Sequence, residues 1–182
     1  LERNTFSSLH LDDLFNDLPF KIIQELILIN NNWEEKKIIL SPDIIEKFVS
    51  VQKITLWQQK LSETDVSLMK VILGLPELIE LNITRNSNIS CFFDAILSNN
   101  ESFTYGSSLE TLNLSDNDFT LVTAIQLGAL IQLPFLKNLI LQTCNLVHLN
   151  NEIENLILNT AGSLKQIDLT DSCLDEESFI DF

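Results

Sequence analysis

Glycine is scarce in this 182-residue chain, with four residues (Gly74, Gly106, Gly128, Gly162) set well apart, so neither a P-loop nor a dinucleotide-binding fingerprint can be built. Histidine is scarcer still: His10 and His148 stand far from each other, and Cys91, Cys144 and Cys173 have no neighbour at metal-ligand spacing. The sequence therefore offers no zinc site, no cofactor motif and no catalytic constellation, and a non-enzymatic role is expected. An odd number of cysteines without a close pair suits a reducing compartment. Cations are also few. Eleven Lys and Arg face 26 Asp and Glu, a net charge of −15 that repels phosphate backbones and anionic lipid, so neither nucleic acid nor a membrane surface is the expected partner. No apolar run approaches the roughly 20 residues of a membrane span, and Leu1-Glu2-Arg3-Asn4 does not open a signal peptide.

What the chain does contain is 45% hydrophobic residues with 20% charged, the balance of a folded domain. The hydrophobic residues recur at a fixed interval. The segments are Ile23-xx-Leu26-x-Leu28-xx-Asn31-x-Trp33, Val51-xx-Ile54-x-Leu56-xx-Gln59-x-Leu61 and Leu78-xx-Leu81-x-Ile83-xx-Asn86-x-Asn88. Three more follow: Leu109-xx-Leu112-x-Leu114-xx-Asn117-x-Phe119, Leu136-xx-Leu139-x-Leu141-xx-Cys144-x-Leu146 and Leu164-xx-Ile167-x-Leu169-xx-Ser172-x-Leu174. Leu1-xx-Asn4-x-Phe6 matches the back half of the same unit. The ninth positions Asn4, Asn31, Gln59, Asn86, Asn117, Cys144 and Ser172 are separated by 27, 28, 27, 31, 27 and 28 residues.

Inside each unit, positions four and six alternate with polar neighbours, as Leu112 and Leu114 do around Asn113, the period of a strand with one buried face. A ninth-position amide can satisfy backbone groups where the chain leaves the strand. The return path is too long for a hairpin, so successive strands should lie parallel. Val66, Met69, Ile72 and Leu73 recur at helical spacing, Ser41-Pro42-Asp43 reads as a helix start, and Leu121 to Leu133 reads as one helix.

This pattern resembles the leucine-rich repeat family, and its period near 28 resembles the ribonuclease-inhibitor-like subclass. The resemblance covers essentially the whole chain. It implies one α/β domain over 1–182, a right-handed solenoid of six to seven repeats with a curved parallel sheet on the concave side and helices on the convex side. It also implies a protein or peptide partner on the concave face, with the chain acting as scaffold, adaptor or recognition domain. Gln59, Cys144 and Ser172 depart from Asn on the ladder, and Asn88 places a polar residue where an apolar one belongs. The same subclass includes proteins resembling the Ran GTPase-activating proteins, for which Arg3 and Arg85 are the arginines at hand, and the ligand-sensing or substrate-reading parts of NOD-like receptors and ubiquitin-ligase adaptors. Leu18-Pro19 resembles the start of an F-box, but Leu75-Pro76 and Leu133-Pro134 precede strands in the same way, so the repeat accounts for it. Leu1 beginning mid-repeat suggests a piece of a longer array or of a larger protein, with caps outside it.

Read as columns across stacked strands, the outward positions show where a partner would bind. Position three begins with Glu25, Lys53 and Glu80, an alternating charge ladder. Ile27, Ile29 and Trp57 form an apolar patch, and Asp116, Asp168 and Asp171 make the other end acidic. Trp57 and Arg85 are the leading anchors; the competing reading has Trp57 folded over its neighbours and Arg85 paired with Asp116. A partner with an apolar anchor and basic residues would suit this gradient. The 31-residue interval places an excursion within 98–107, where Phe103 and Tyr105 are a second candidate contact. Trp33 is expected in the core, Cys91 as a small core residue beside Phe92, and Cys173 as an exposed thiol. Acceptor sequons at Asn82, Asn88, Asn100 and Asn113 would matter in a secreted protein, but a cytoplasmic or nuclear location is the expectation.

Overall fold

The computed structural model describes residues 23–29, 48–59, 61, 65–86, 89–98, 108–159 and 163–172. The first ladder residues Asn4 and Asn31, the expected helix start at 41–43, Trp33, Asn88, Asn100, Phe103, Tyr105, Cys173, His10 and Arg3 lie outside them.

The period-2 segments form strands β1 (Glu25–Ile29), β2 (Lys53–Trp57), β3 (Glu80–Thr84), β4 (Thr111–Asn113), β5 (Asn138–Ile140) and β6 (Gln166–Asp168). They make one six-stranded sheet in chain order, every adjacent pair parallel. Register follows the repeat position by position: Leu81 pairs with Leu112, Leu112 with Leu139 and Leu139 with Ile167. A slip of one residue would turn every leucine to the opposite face, so the hydrophobic pattern itself fixes this alignment.

Backbone hydrogen bonding repeats with the same interval. The position-two carbonyl accepts two N–H groups of the next repeat: Gln52 O takes Ile79 and Glu80 at 2.8 and 2.9 Å, and Glu110 O takes Lys137 and Asn138 at 2.8 and 2.9 Å. The extra bond knits each strand entry to its neighbour before the ladder proper begins.

Helices α1 (Val66–Leu73), α2 (Ser90–Leu97), α3 (Ala124–Gly128) and α4 (Asn150–Asn159) return the chain and pack in succession on one another. They share one core with the sheet, filled by positions four and six and by position one (Val51, Leu78, Leu109, Leu136). The eleventh-position residues Leu61, Phe119 and Leu146 join it. Phe93 sits edge-on to Phe92 at 5.3 Å and to Phe119 at 6.0 Å, linking α2 to the turn after β4. Cys91 is buried beside Phe92, as expected. In α1 the buried set is Leu68, Met69, Ile72 and Leu73, with Val66 only partly covered.

The single helix expected over 121–133 is a shorter structure. Thr123 caps α3, accepting from Gln126 N–H at 3.3 Å while the Gln126 side chain accepts from Thr123 N–H at 2.9 Å. Val122 and Leu127, both buried, close this capping box as its apolar staple. The capped start excludes Leu121, which is 82% exposed. Ala129–Gln132 then tighten into a 3-10 turn, and Leu133 is extended because the residue before Pro134 is barred from helical geometry.

Replacing Leu114 or Leu141 with Ala should lower the unfolding free energy by about 2–5 kcal/mol, the cost of a core cavity. Asn113→Ala, at a half-exposed outward position between Leu112 and Leu114, should cost under about 1 kcal/mol. Urea denaturation of the three variants checks this, and equal midpoints would contradict the strand register.

Candidate functional site

The side of the sheet bearing positions three, five and seven is its open face, where residues alternate with buried leucines along β2 and β3. How each strand ends decides which side chains reach this face. At the ninth position the side chain turns inward and serves the backbone. Asn86 Nδ2 donates to Thr84 O at 2.9 Å and to Leu56 O at 3.2 Å, while Asn86 Oδ1 accepts from Gln59 N–H at 2.8 Å. Asn117 Oδ1 in turn accepts from Asn86 N–H at 2.7 Å, and its Nδ2 donates to Ile83 O and Leu114 O at 2.6 and 2.7 Å.

Gln59 serves the same way with Leu28 O and Trp57 O at 2.9 and 2.8 Å. Cys144 gives two long contacts of 3.4 Å to Leu114 O and Gln142 O, and Ser172 Oγ donates to Leu141 O and Thr170 O. Burial pushes the Cys144 thiol up to about 11, and burial followed by the nearby Asp65 charge pushes Cys91 up to about 12. Neither is in a disulfide, and both thiols are held protonated at neutral pH, positioned to pack and to donate but not to react.

The residue just before each ladder position was not singled out by sequence reasoning for its backbone. Gln58, Arg85, Asp116, Thr143 and Asp171 all have φ between 53° and 59°, the left-handed region. The conformation costs about 1–2 kcal/mol in a residue other than glycine, Asn or Asp. In the first four it is held because the residue's N–H bonds the next repeat, as Gln58 does to Thr84 O and Asp116 to Gln142 O, both at 2.9 Å. Asp116 and Asp171 carry a visible signal for it, whereas Gln58, Arg85 and Thr143 obscure it. The consequence is a row of five exposed side chains along the edge of the open face.

No protein-family model and no curated protein sequence matches the chain. What the open face can do therefore rests on its own chemistry. Ile27 is 41% exposed, and Ile29 and Trp57, paired in register, are each half-buried, so the apolar patch at the β1–β2 end is contiguous. The Arg85 guanidinium carbon lies 5.8 Å from the Trp57 ring centroid, and Arg85 Nε is 3.2 Å from Asp116 Oδ2. The two proposed anchors thus touch each other, and the Arg85–Asp116 pair of the competing reading is present as well.

The charge ladder read from position three forms: Lys53 Nζ lies 3.5 Å from Glu25 and 3.0 Å from Glu80. Glu80 is desolvated by its partial burial, yet bonds from Asn82 and Lys53 outweigh that and keep its carboxyl below its usual value. Asn82 Nδ2 is spent on Glu80 at 2.8 Å and Thr55 at 3.3 Å, which ties this sequon side chain into the sheet face.

At the β6 end Asp168 accepts from Thr170 Oγ1 at 2.7 Å, Thr170 N–H at 3.0 Å and Gln142 Nε2 at 2.8 Å. The Thr170 hydroxyl, its backbone N–H and the Gln142 amide hold the carboxyl below the ordinary aspartate range. Ser115, read as outward, is buried, its Oγ accepting from Gln142 N–H at 3.2 Å. Leu121 and Ile125 after β4, which the single-helix reading of 121–133 hid, and Val147 after β5 are exposed apolar residues of the connections. Among the described residues no group of three His, Cys, Asp or Glu could hold a metal ion, and no helix is long and apolar enough to cross a membrane.

Asn86→Ala should cost at least about 2 kcal/mol, since it takes their side-chain partner from Gln59 N–H and Leu56 O of the preceding turn; thermal unfolding of the variant measures this. Thr143→Asn should instead raise stability by about 0.5–1 kcal/mol, because Asn tolerates the left-handed backbone that a β-branched residue resists. Asp168 has a depressed folded-state pKa, so its contribution is present above the unfolded value of about 4 and is lost as pH falls through the folded value. Denaturation midpoints should therefore drop below about pH 4 more steeply for the parent protein than for Asp168→Asn.

Proposed function

We propose that the chain is a leucine-rich repeat solenoid of the ribonuclease-inhibitor-like type and a non-catalytic binding module, taking a protein or peptide on its open sheet face as the concave surface. The observation that carries this reading is an uncovered sheet face bearing Ile27, Ile29 and the Trp57–Arg85–Asp116 cluster, while the opposite face is buried under helices. In-register parallel pairing at intervals of 27 to 31 residues and the buried ninth-position ladder support the family reading. Trp and Arg are common centres of binding energy, and here they are pre-stacked, which reduces the side-chain ordering that association would cost. No observation favours the GTPase-regulator reading, since Arg85 is engaged by Asp116 and Trp57. Buried thiols that form no disulfide support residence in a reducing compartment.

Trp57→Ala should abolish capture of the partner that the parent protein retrieves, while far-ultraviolet circular dichroism stays unchanged. A side-by-side affinity capture with quantitative mass spectrometry tests this, and identical partners at identical yield would rule out the open face.

A further inference from the structure

The distribution of charge on the open face narrows the partner further, on the footing that this face is the binding surface. Two described cations, Lys53 and Arg85, occupy its outward positions, and both are already matched, Lys53 by Glu25 and Glu80 and Arg85 by Asp116. From β4 to β6 the outward positions carry Asp116, Asp168 and Asp171 and no cation. Arg85 neutralises the first. Among the described residues Asp168 and Asp171 have no ion pair; Asp168 is oriented by a hydroxyl, an amide and a backbone N–H, none of which carries charge. Lys165, the described cation nearest to them in sequence, stands three residues before Asp168, roughly 10 Å along an extended strand, and makes no ion pair with either carboxylate. The β6 end therefore holds two carboxylates without an ion pair among the described residues, and the β1–β2 end holds the apolar patch.

We propose that the occupant is an extended peptide segment running across the strands, with an aliphatic or aromatic residue on Ile29 and Trp57 and a Lys or Arg against Asp168 and Asp171. Trp57 on β2 and Asp168 on β6 are four strand steps apart, about 19 Å at about 4.8 Å per step. An extended chain advances about 3.3 Å per residue, so the two anchors should be separated by about six residues. Arg85 lies between them and already occupies Asp116, so a cation next to the apolar anchor finds no available carboxylate there, which is why the basic residue belongs at the far end. Asn113, on β4 between them, keeps its Oδ1 on Ser115 N–H at 3.0 Å and has its amide N–H groups to offer to the backbone of such a segment.

The test is selection of a random peptide-display library on the whole chain, followed by fluorescence anisotropy of the enriched peptides. The expected outcome is an apolar residue with Lys or Arg five to seven residues away, binding that weakens with salt, and about a tenfold loss in Asp168→Asn/Asp171→Asn. Asp171→Asn alone, an exposed position, should reproduce part of the loss if the double variant is poorly folded. Enriched peptides that are lost with Trp57→Ala but indifferent to both carboxylate variants would overturn the inference and leave the open-face reading standing. Peptides indifferent to Trp57→Ala as well would overturn both. An enrichment without basic residues, or none at all, would overturn the inference.

Discussion

The fold hangs on the buried hydrogen bonds that ninth-position side chains make where each strand ends. A parallel sheet can satisfy its own backbone only while strands run side by side; at the exit the chain bends into the core, where an unpaired carbonyl or N–H costs about 1–3 kcal/mol. Asn86 and Asn117 each serve two carbonyls and accept one N–H from the preceding turn, so every turn is completed by the repeat that follows it. Stability is thereby shared between neighbours, as expected of units that cannot close a core alone. Cys144 is the weakest member, since a thiol is a poor donor and a poor acceptor.

The same turns set the shape of the open face. A left-handed residue immediately before each ladder position swings its side chain outward, and the ladder amide behind it keeps that backbone from relaxing. Arg85 and Asp116 stand next to each other in this row for that reason: equivalent positions on adjacent repeats face each other once β3 and β4 pair in register. A surface pair of this sort contributes at most about 1 kcal/mol to stability. Its stacking on Trp57 gives it another consequence, because it fixes an aromatic ring and a guanidinium in one orientation on an otherwise polar face.

Strand register, core positions and the Glu25–Lys53–Glu80 ladder were legible in the sequence, because burial imposes a period that the residues must obey. The Arg85–Asp116 pair was legible for the same reason: columns follow from register. The short α3 was not, because the apolar run from Leu121 onward hides the cap; Thr123 with Gln126 three residues on was the available signal. Nor was the left-handed row, since a backbone angle forced by hydrogen bonds to the next repeat leaves no mark on Gln58, Arg85 or Thr143 themselves. Burial of Ser115 was hidden too, because a small hydroxyl can serve Gln142 N–H from an outward position without protruding.

Charge distribution is the remaining constraint. A net charge of −15 opposes compaction through self-repulsion, so retained carboxylates without counterions carry a cost that core packing must exceed. Where a cation is nearby the sheet uses it, as Lys53 lying between Glu25 and Glu80 and Arg85 beside Asp116 both demonstrate. Asp168 departs from that practice: it is held ionised by neutral donors that orient the carboxylate without cancelling its charge. A carboxylate arranged in this way keeps its charge, and its place on β6, four strand steps from Trp57, sets the acidic end of the open face apart from the apolar one.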